Sequence, residues 1–267
     1  MPSARGLWYE WHGPEDRPTL ILSAGLGGSG AYWKTNLEAL AERFRILTYD
    51  QRGTGRSDRS LPESESVERM AEDVLGLMDE LGIERAHFLG HAAGAAVGLA
   101  LALQAPERLG GLVLVNGWSR PDPHFLRCFD VRLMLLRSNG PRAWIRAQPL
   151  FLFPATWSSE HSEQLDAELD AQEADFQGAA NLEKRVAALK DIDVDARLGE
   201  IETPVLALAS TDDMLVPAHC SKRLAEHIPD AALAMMDAGG HACNVTDPEG
   251  FSRIVLGWLD GLVESKE

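Results

Sequence analysis

Cysteine is scarce in this chain of 267 residues, with only Cys128, Cys220 and Cys243 and no CxxC or Cys/His ligand spacing. An odd, scattered set argues against a disulfide framework and against structural zinc, and for a reducing compartment. Positive charge is also short: 25 Lys and Arg stand against 41 Asp and Glu, a net charge of −16. A chain this acidic repels phosphate backbones and anionic lipid, which disfavours nucleic acid and membrane surfaces as partners. Long apolar runs are missing too, and none approaches the roughly 18 residues of a membrane span. Residues 1–13 carry neither the basic nor the apolar region of a secretory signal. These absences lead to the expectation of a cytoplasmic protein whose partner is a small molecule. A homodimer is compatible with the sequence and not required by it. With 45% hydrophobic residues, the chain has enough apolar material for one sizeable core.

One further absence bears on function. Residues 86–89 read as an apolar strand that runs into Gly90-His91-Ala92-Ala93-Gly94 and then an Ala- and Leu-rich helix. Strand, Gly-x-x-x-Gly turn and helix are the layout of the nucleophile elbow, Gly-x-Ser-x-Gly, of α/β-hydrolases. The middle position of that turn carries a nucleophilic hydroxyl or thiol, and here it is Ala92. The turn is present and the nucleophile is missing.

Around the turn the chain alternates strands and helices. Residues 7–11, 19–23, 45–49 and 112–115 read as strands, the last uniformly apolar as in a central parallel strand. Residues 32–44 and 67–81 have helical apolar spacing. The loop Ser23-Ala24-Gly25-Leu26-Gly27-Gly28-Ser29-Gly30 lacks the ending of a P-loop. Placed before an elbow, it is read as the loop whose Leu26 N–H joins that of Ala93 in an oxyanion hole. Asp50 and Arg52, in the loop after the next strand, are open to substrate contact, but stapling the loop by salt bridges is the commoner use of such residues.

From Trp118 to about residue 192 the alternation stops, and helices are expected at 125–137, 141–147 and 160–189. The segment reads as a helical cap at 118–192, inserted after the sixth strand into an α/β core formed by 1–117 and 193–267. The sheet resumes at 205–209 and ends with 233–236, with helices at 218–227 and 248–263. The expected fold class is therefore α/β: the α/β-hydrolase fold, a mostly parallel central sheet flanked by helices.

Two loops complete a constellation. Ser210-Thr211-Asp212-Asp213 follows one late strand and Ala238-Gly239-Gly240-His241 follows the last. Elbow, acid, histidine is the chain order of this fold's triad. Asp213 is the expected acid, with Asp212 the alternative, and its task is to orient His241 and stabilise its imidazolium. His91, Trp118, Arg127, Arg132 and Trp157 are candidate substrate contacts; packing or surface roles compete for each. Cys243 and Ser23 are the residues open to substitute as nucleophile, but buried packing for the first and a turn hydrogen bond for the second are the simpler explanations.

Several strings go beyond the general fold: Ser29-Gly30-Ala31-Tyr32-Trp33, Asp50-Gln51-Arg52-Gly53-Thr54-Gly55, Asn116-Gly117-Trp118 and Arg127-Cys128-Phe129. Later come Ala147-Gln148-Pro149-Leu150-Phe151-Leu152-Phe153-Pro154-Ala155, Phe176-Gln177-Gly178 and Gly239-Gly240-His241-Ala242-Cys243-Asn244-Val245-Thr246-Asp247-Pro248-Glu249. In these the chain resembles the RutD family of α/β-hydrolases, whose members can show Gly-His-Ala-x-Gly at the elbow. The resemblance implies a hydrolase of a small carbamate or 3-aminoacrylate in the release of uracil nitrogen, with no cofactor and no metal. Catalysis would be general acid–base work by His241 and Asp213. Two other readings follow from the same residues: a nonenzymatic binding protein that kept the pocket, or a serine esterase or amidase seen as an Ala92 variant. Binding alone needs neither Asp213 nor His241, which counts against the first.

Overall fold

The computed structural model describes residues 3–264 and arranges them around one eight-stranded sheet. The first strands are β1 (Ser3–Ala4), β2 (Leu7–His12), β3 (Thr19–Ser23) and β4 (Arg45–Tyr49). Then come β5 (Ala86–His91), β6 (Leu109–Val115), β7 (Val205–Ser210) and β8 (Ala231–Met236). Their order is β1-β2-β4-β3-β5-β6-β7-β8, antiparallel at β1/β2 and β2/β4 and parallel elsewhere. All seven residues of β6 are buried, as a central parallel strand covered on both faces requires.

Helices α1 (Leu37–Ala41), α2 (Val67–Glu80) and α3 (Ala93–Gln104) lie among the early strands. One apolar layer joins Val74 of α2 and Leu99 of α3 to Ile21 and Phe88 of the sheet. The opposite layer joins Leu40 of α1 to Leu20 and Leu89. Each such Leu or Val, fully buried, contributes roughly 1.5–3 kcal/mol, so the two layers rather than helix propensity hold these elements. Between β6 and β7 run α4 (Pro123–Asn139), α5 (Pro141–Leu152), α6 (Ala155–Glu160), α7 (Ser162–Ala174) and α8 (Ala179–Asp191). The chain closes with α9 (His219–His227), α10 (Cys243–Thr246) and α11 (Pro248–Glu264). No helix among the described residues is long and apolar enough to cross a membrane.

Two expected helices are broken. Residues 32–44 split into a 3-10 turn at Gly30–Trp33 and the short α1, because buried Asn36 turns aside to exchange hydrogen bonds with Asn244. Residues 160–189 split into α7 and α8 at Gly178, whose φ of +90° lies in the left-handed region that glycine tolerates.

Candidate functional site

The turn after β5 is built by close approach. A Cβ at Gly90 would collide with the carbonyl of Gly94, and a Cβ at Gly94 would collide with the carbonyl of Ser23. Both glycines are therefore required to let α3 pack against the strand ends. Between them Ala92 has φ +50° and ψ −106°, a conformation costing of order 1–3 kcal/mol and held here by its N–H donating to Val115 O at 2.8 Å. The strained turn lifts residue 92 into a cavity of about 540 Å³, and the side chain it presents there is a methyl group.

His241 and Asp213 come from the loops after β8 and β7 and meet beside this turn. His241 Nδ1–H donates to Asp213 Oδ2 at 2.7 Å, with both side chains buried. Asp213 Oδ1 accepts from the backbone N–H groups of Leu215 and Val216 at 2.7 and 2.9 Å, so the carboxylate is held at both oxygens. Nε2 of His241 is left as the nitrogen that can exchange a proton with a bound molecule. Asp212, the alternative acid, is occupied elsewhere: its carboxylate accepts from Ser210 Oγ and Gly240 N.

His91 lies against this pair. Its Nε2 donates to the carbonyl of His241 at 2.7 Å, and its ring centroid is 4.7 Å from that of His241. A carbonyl can only accept, so the proton of His91 sits on Nε2 and its Nδ1 keeps a lone pair. Burial, reinforced by neighbouring His241, pushes the His91 imidazole down to about 3. Tyr32 stacks on His91, ring centroids 4.9 Å apart, and donates to Asn244.

The two expected oxyanion donors both line the cavity. Ala93 is the first residue of α3, where an N–H has no partner within the helix. The peptide unit that carries the Leu26 N–H is held by the Gly25 carbonyl, which accepts from Gly28 N at 3.0 Å, and the next unit by the Leu26 carbonyl, which accepts from Gln177 and from Arg185, each at 3.2 Å. Arg185 is itself buried, also donates to Arg52 O and to the side-chain oxygen of Gln51, and is pushed down to about 10 by burial.

The remaining candidates divide. Trp118 and Arg132 line the same cavity as Ala92 and His241. Arg127 and Trp157 do not. Arg127 is an exposed residue of α4, on the side of the helix opposite its buried Phe125, Cys128 and Phe129 face. Trp157 stacks on His161, ring centroids 3.9 Å apart, and borders a separate surface hollow with Pro154 and Gly239. Asp50 and Arg52 staple their loop: Asp50 accepts from Gly30 N and Arg56, and Arg52 grips Asp73. Ser23 is fully buried between Tyr49 and Gln51. Burial pushes the Cys243 thiol up to about 12, leaving no thiolate near neutrality. One cluster of metal-ligand types, Asp122, His219 and Cys220, lies away from the cavity lining. Its Asp122 and His219 already pair at 2.9 Å, and burial holds its thiol up to about 12.

Asn116 carries no chemical signal in the sequence, although the site depends on it. Its Nδ2 donates to His241 O at 2.8 Å, and its Oδ1 accepts from Ser210 N at 3.1 Å. It thereby braces the acid-bearing and histidine-bearing loops against each other. Its φ of +49° is tolerated better by Asn than by most side chains. A lone Asn after a strand carries no signal for such a role in one sequence.

Comparison with known proteins agrees with this geometry. The α/β hydrolase fold family profile matches residues 18–248. A protein of Caulobacter sp. (strain K31) named "Putative carbamate hydrolase RutD" is 52% identical over 258 residues, 96% of each chain. One of the same name from Agrobacterium fabrum is 49% identical, covering 95% of this chain and 98% of the other. Among solved structures, a hydrolase from Pseudomonas aeruginosa PA01 is 32% identical with a TM-score of 0.83, covering 95% of this chain and 94% of its own. An enol-lactonase from Burkholderia xenovorans LB400 is 27% identical with a TM-score of 0.85, covering 96% and 98%.

Proposed function

The chain belongs to the RutD branch of the α/β-hydrolase family, and from that premise we propose that it hydrolyses a small carbamate or 3-aminoacrylate by proton transfer through His241. The observation that carries this reading is the intact His241–Asp213 pair, 2.7 Å apart, beside a methyl group at residue 92. Two-step ester hydrolysis needs a hydroxyl or thiol at that position, and a pocket that only binds needs no acid holding a histidine.

For 3-aminoacrylate, protonated His241 gives its proton to C2; the enamine electron pair forms the C–H bond and an iminium results at C3. Neutral His241 then takes a proton from water as the water oxygen bonds to C3. That proton passes to the nitrogen of the carbinolamine and the C–N bond breaks. Ammonia leaves, the hydroxyl proton returns to His241, and a 3-oxo acid remains. For carbamate, the same proton goes to nitrogen, and C–N cleavage releases ammonia and carbon dioxide. Positioned acid–base catalysis of this kind is worth about 10²–10⁴-fold. Asp213 holds the imidazole in the tautomer and orientation required and stabilises its charged form. The N–H groups of Leu26 and Ala93 receive negative charge on the substrate.

Asp213→Asn tests the reading. It keeps the shape of the side chain but removes the charge that stabilises imidazolium, and ammonia release should fall about 10²–10⁴-fold. Release at the wild-type rate would overturn the reading.

A further inference from the structure

Arg132 is 2% exposed, sits on α4, and lines the cavity that contains Ala92 and His241. Three aromatic rings surround its guanidinium: Trp144 at 4.2 Å, Phe129 at 5.1 Å and Phe151 at 5.3 Å. Among the described residues it forms no ion pair, and its one side-chain hydrogen bond is a long one, 3.4 Å to Gln148 Oε1. A guanidinium has five N–H donors, so most of this one is unused. Burial in these apolar surroundings pushes it down to about 10, still charged at neutral pH. Arg185, comparably buried, instead donates to two backbone carbonyls and a glutamine.

The cavity wall holds more unpaired polar atoms. Trp118 Nε1 and Arg132 Nε are buried donors without an acceptor, while His91 Nδ1 and Gln177 Oε1 are buried acceptors without a donor. Buried polar groups are ordinarily hydrogen-bonded, and a buried charge is ordinarily paired. Here the missing counter-charge faces a cavity, which makes a ligand anion the natural partner. A planar fork of donors favours a carboxylate over a spherical anion.

We propose that Arg132 is the carboxylate anchor of the substrate, holding the carboxylate oxygens and leaving the adjoining atom to His241. Arg132 belongs to the helical wall formed by α4 and α5, whereas His241 belongs to the wall of strand-end loops. A carboxylate on the first directs the rest of a short molecule toward the second. In carbamate the atom that takes the proton from His241 is nitrogen, bonded directly to the anchored carboxylate carbon. In 3-aminoacrylate it is C2, bonded to the same carbon, so one anchor serves either compound. This rests on the reading that His241 is the reacting end. For 3-aminoacrylate it assigns the Leu26 and Ala93 N–H groups to the carbinolamine oxygen as its proton leaves, since the carboxylate is already held.

The test is isothermal titration at pH 7 and low salt, comparing propionate with its neutral isostere propionamide. Wild-type protein and the His241→Ala variant should both prefer propionate at least tenfold. Arg132→Met, which replaces the cation with an apolar chain of similar length, should bring the preference close to one. Should that variant not fold, Arg132→Gln takes its place with the same expectation. Equal binding of the two compounds by wild type overturns the proposal. So does a preference that persists without Arg132 or vanishes in His241→Ala. If the preference behaves as expected but no C–N substrate is turned over, the proposed reaction fails and the carboxylate subsite stands.

Discussion

His91 donates from Nε2 to the backbone carbonyl of His241 at 2.7 Å, so the residue before the elbow alanine anchors the loop of the proposed proton carrier. The same carbonyl accepts from Asn116 Nδ2, and the acid loop is tied to Asn116 Oδ1. His241 is thus held by its ring through Asp213 and by its backbone through two side chains. A histidine that must give and take a proton in one place benefits from both restraints.

The burial of His91 carries a pH signature. Its folded-state imidazole is pushed down to about 3, whereas an unfolded histidine titrates near 6.5. Between these values the unfolded chain binds the extra proton, so stability from this group is full above about pH 6.5 and is lost as pH falls toward 3. Its share of the loss between pH 6.5 and 5 is about 2 kcal/mol. Urea denaturation at several pH values should show a shallower acid slope for His91→Gln than for wild type. Parallel slopes would mean that His91 is not held neutral.

Asn116→Ala removes the brace between the loops and leaves the buried Ser210 N–H without its acceptor, while the His241 carbonyl keeps its bond from His91. Such an orphaned group costs about 1–3 kcal/mol. The variant should therefore unfold at clearly lower urea concentration, and its turnover at a temperature where it remains folded should also drop. Unchanged stability would remove Asn116 from the account.

Nucleophilic catalysis should be absent. Ala92 has no hydroxyl, the Cys243 thiol is held up to about 12, and Ser23 is enclosed away from the cavity. An activated nitrophenyl ester mixed with wild-type protein should give no stoichiometric burst of nitrophenolate. Ala92→Ser places a hydroxyl on the strained turn beside His241 and is expected to introduce one. A burst from the wild type would show a nucleophile that the structure does not reveal.

The glycines of the elbow make a sharper structural claim. Gly94→Ala forces a Cβ into the carbonyl of Ser23, where backbone rather than a flexible side chain must move. Its cost should match or exceed the 1–3 kcal/mol usual for overpacking. A thermal melt within a degree of wild type would contradict the packing described at the turn.

Strands and the elbow are legible in the sequence because their signals are local: apolar runs of strand length, then glycines where backbones touch. The pairing of Asp213 rather than Asp212 with His241 is legible only through loop order and the spacing from Pro217. Asp212 turns instead to Ser210 and Gly240, a choice made by backbone geometry that neighbouring identical residues do not encode. Helix faces in the segment 118–192 are less legible. Arg127 and Arg132 lie on one helix, yet one meets solvent and the other a cavity, and α4 has no clean apolar stripe to separate them. Trp157 stacks on His161 four residues later, a local partner that competes with any pocket for an aromatic ring. Arg185 and Asn116 act by reaching distant backbone carbonyls, and nothing in the spacing of a single sequence reports that.

The central claim is that His241 moves the proton, and ammonia release tests it most directly. Wild type and His241→Ala would each be given carbamate and freshly generated 3-aminoacrylate, with the uncatalysed decay of each compound measured alongside. The account predicts release by the wild type well above background, falling about 10²–10⁴-fold in the variant, and for one compound the variant reaching the background line. Release that is equal in the two proteins, or never above background for either compound, would contradict it.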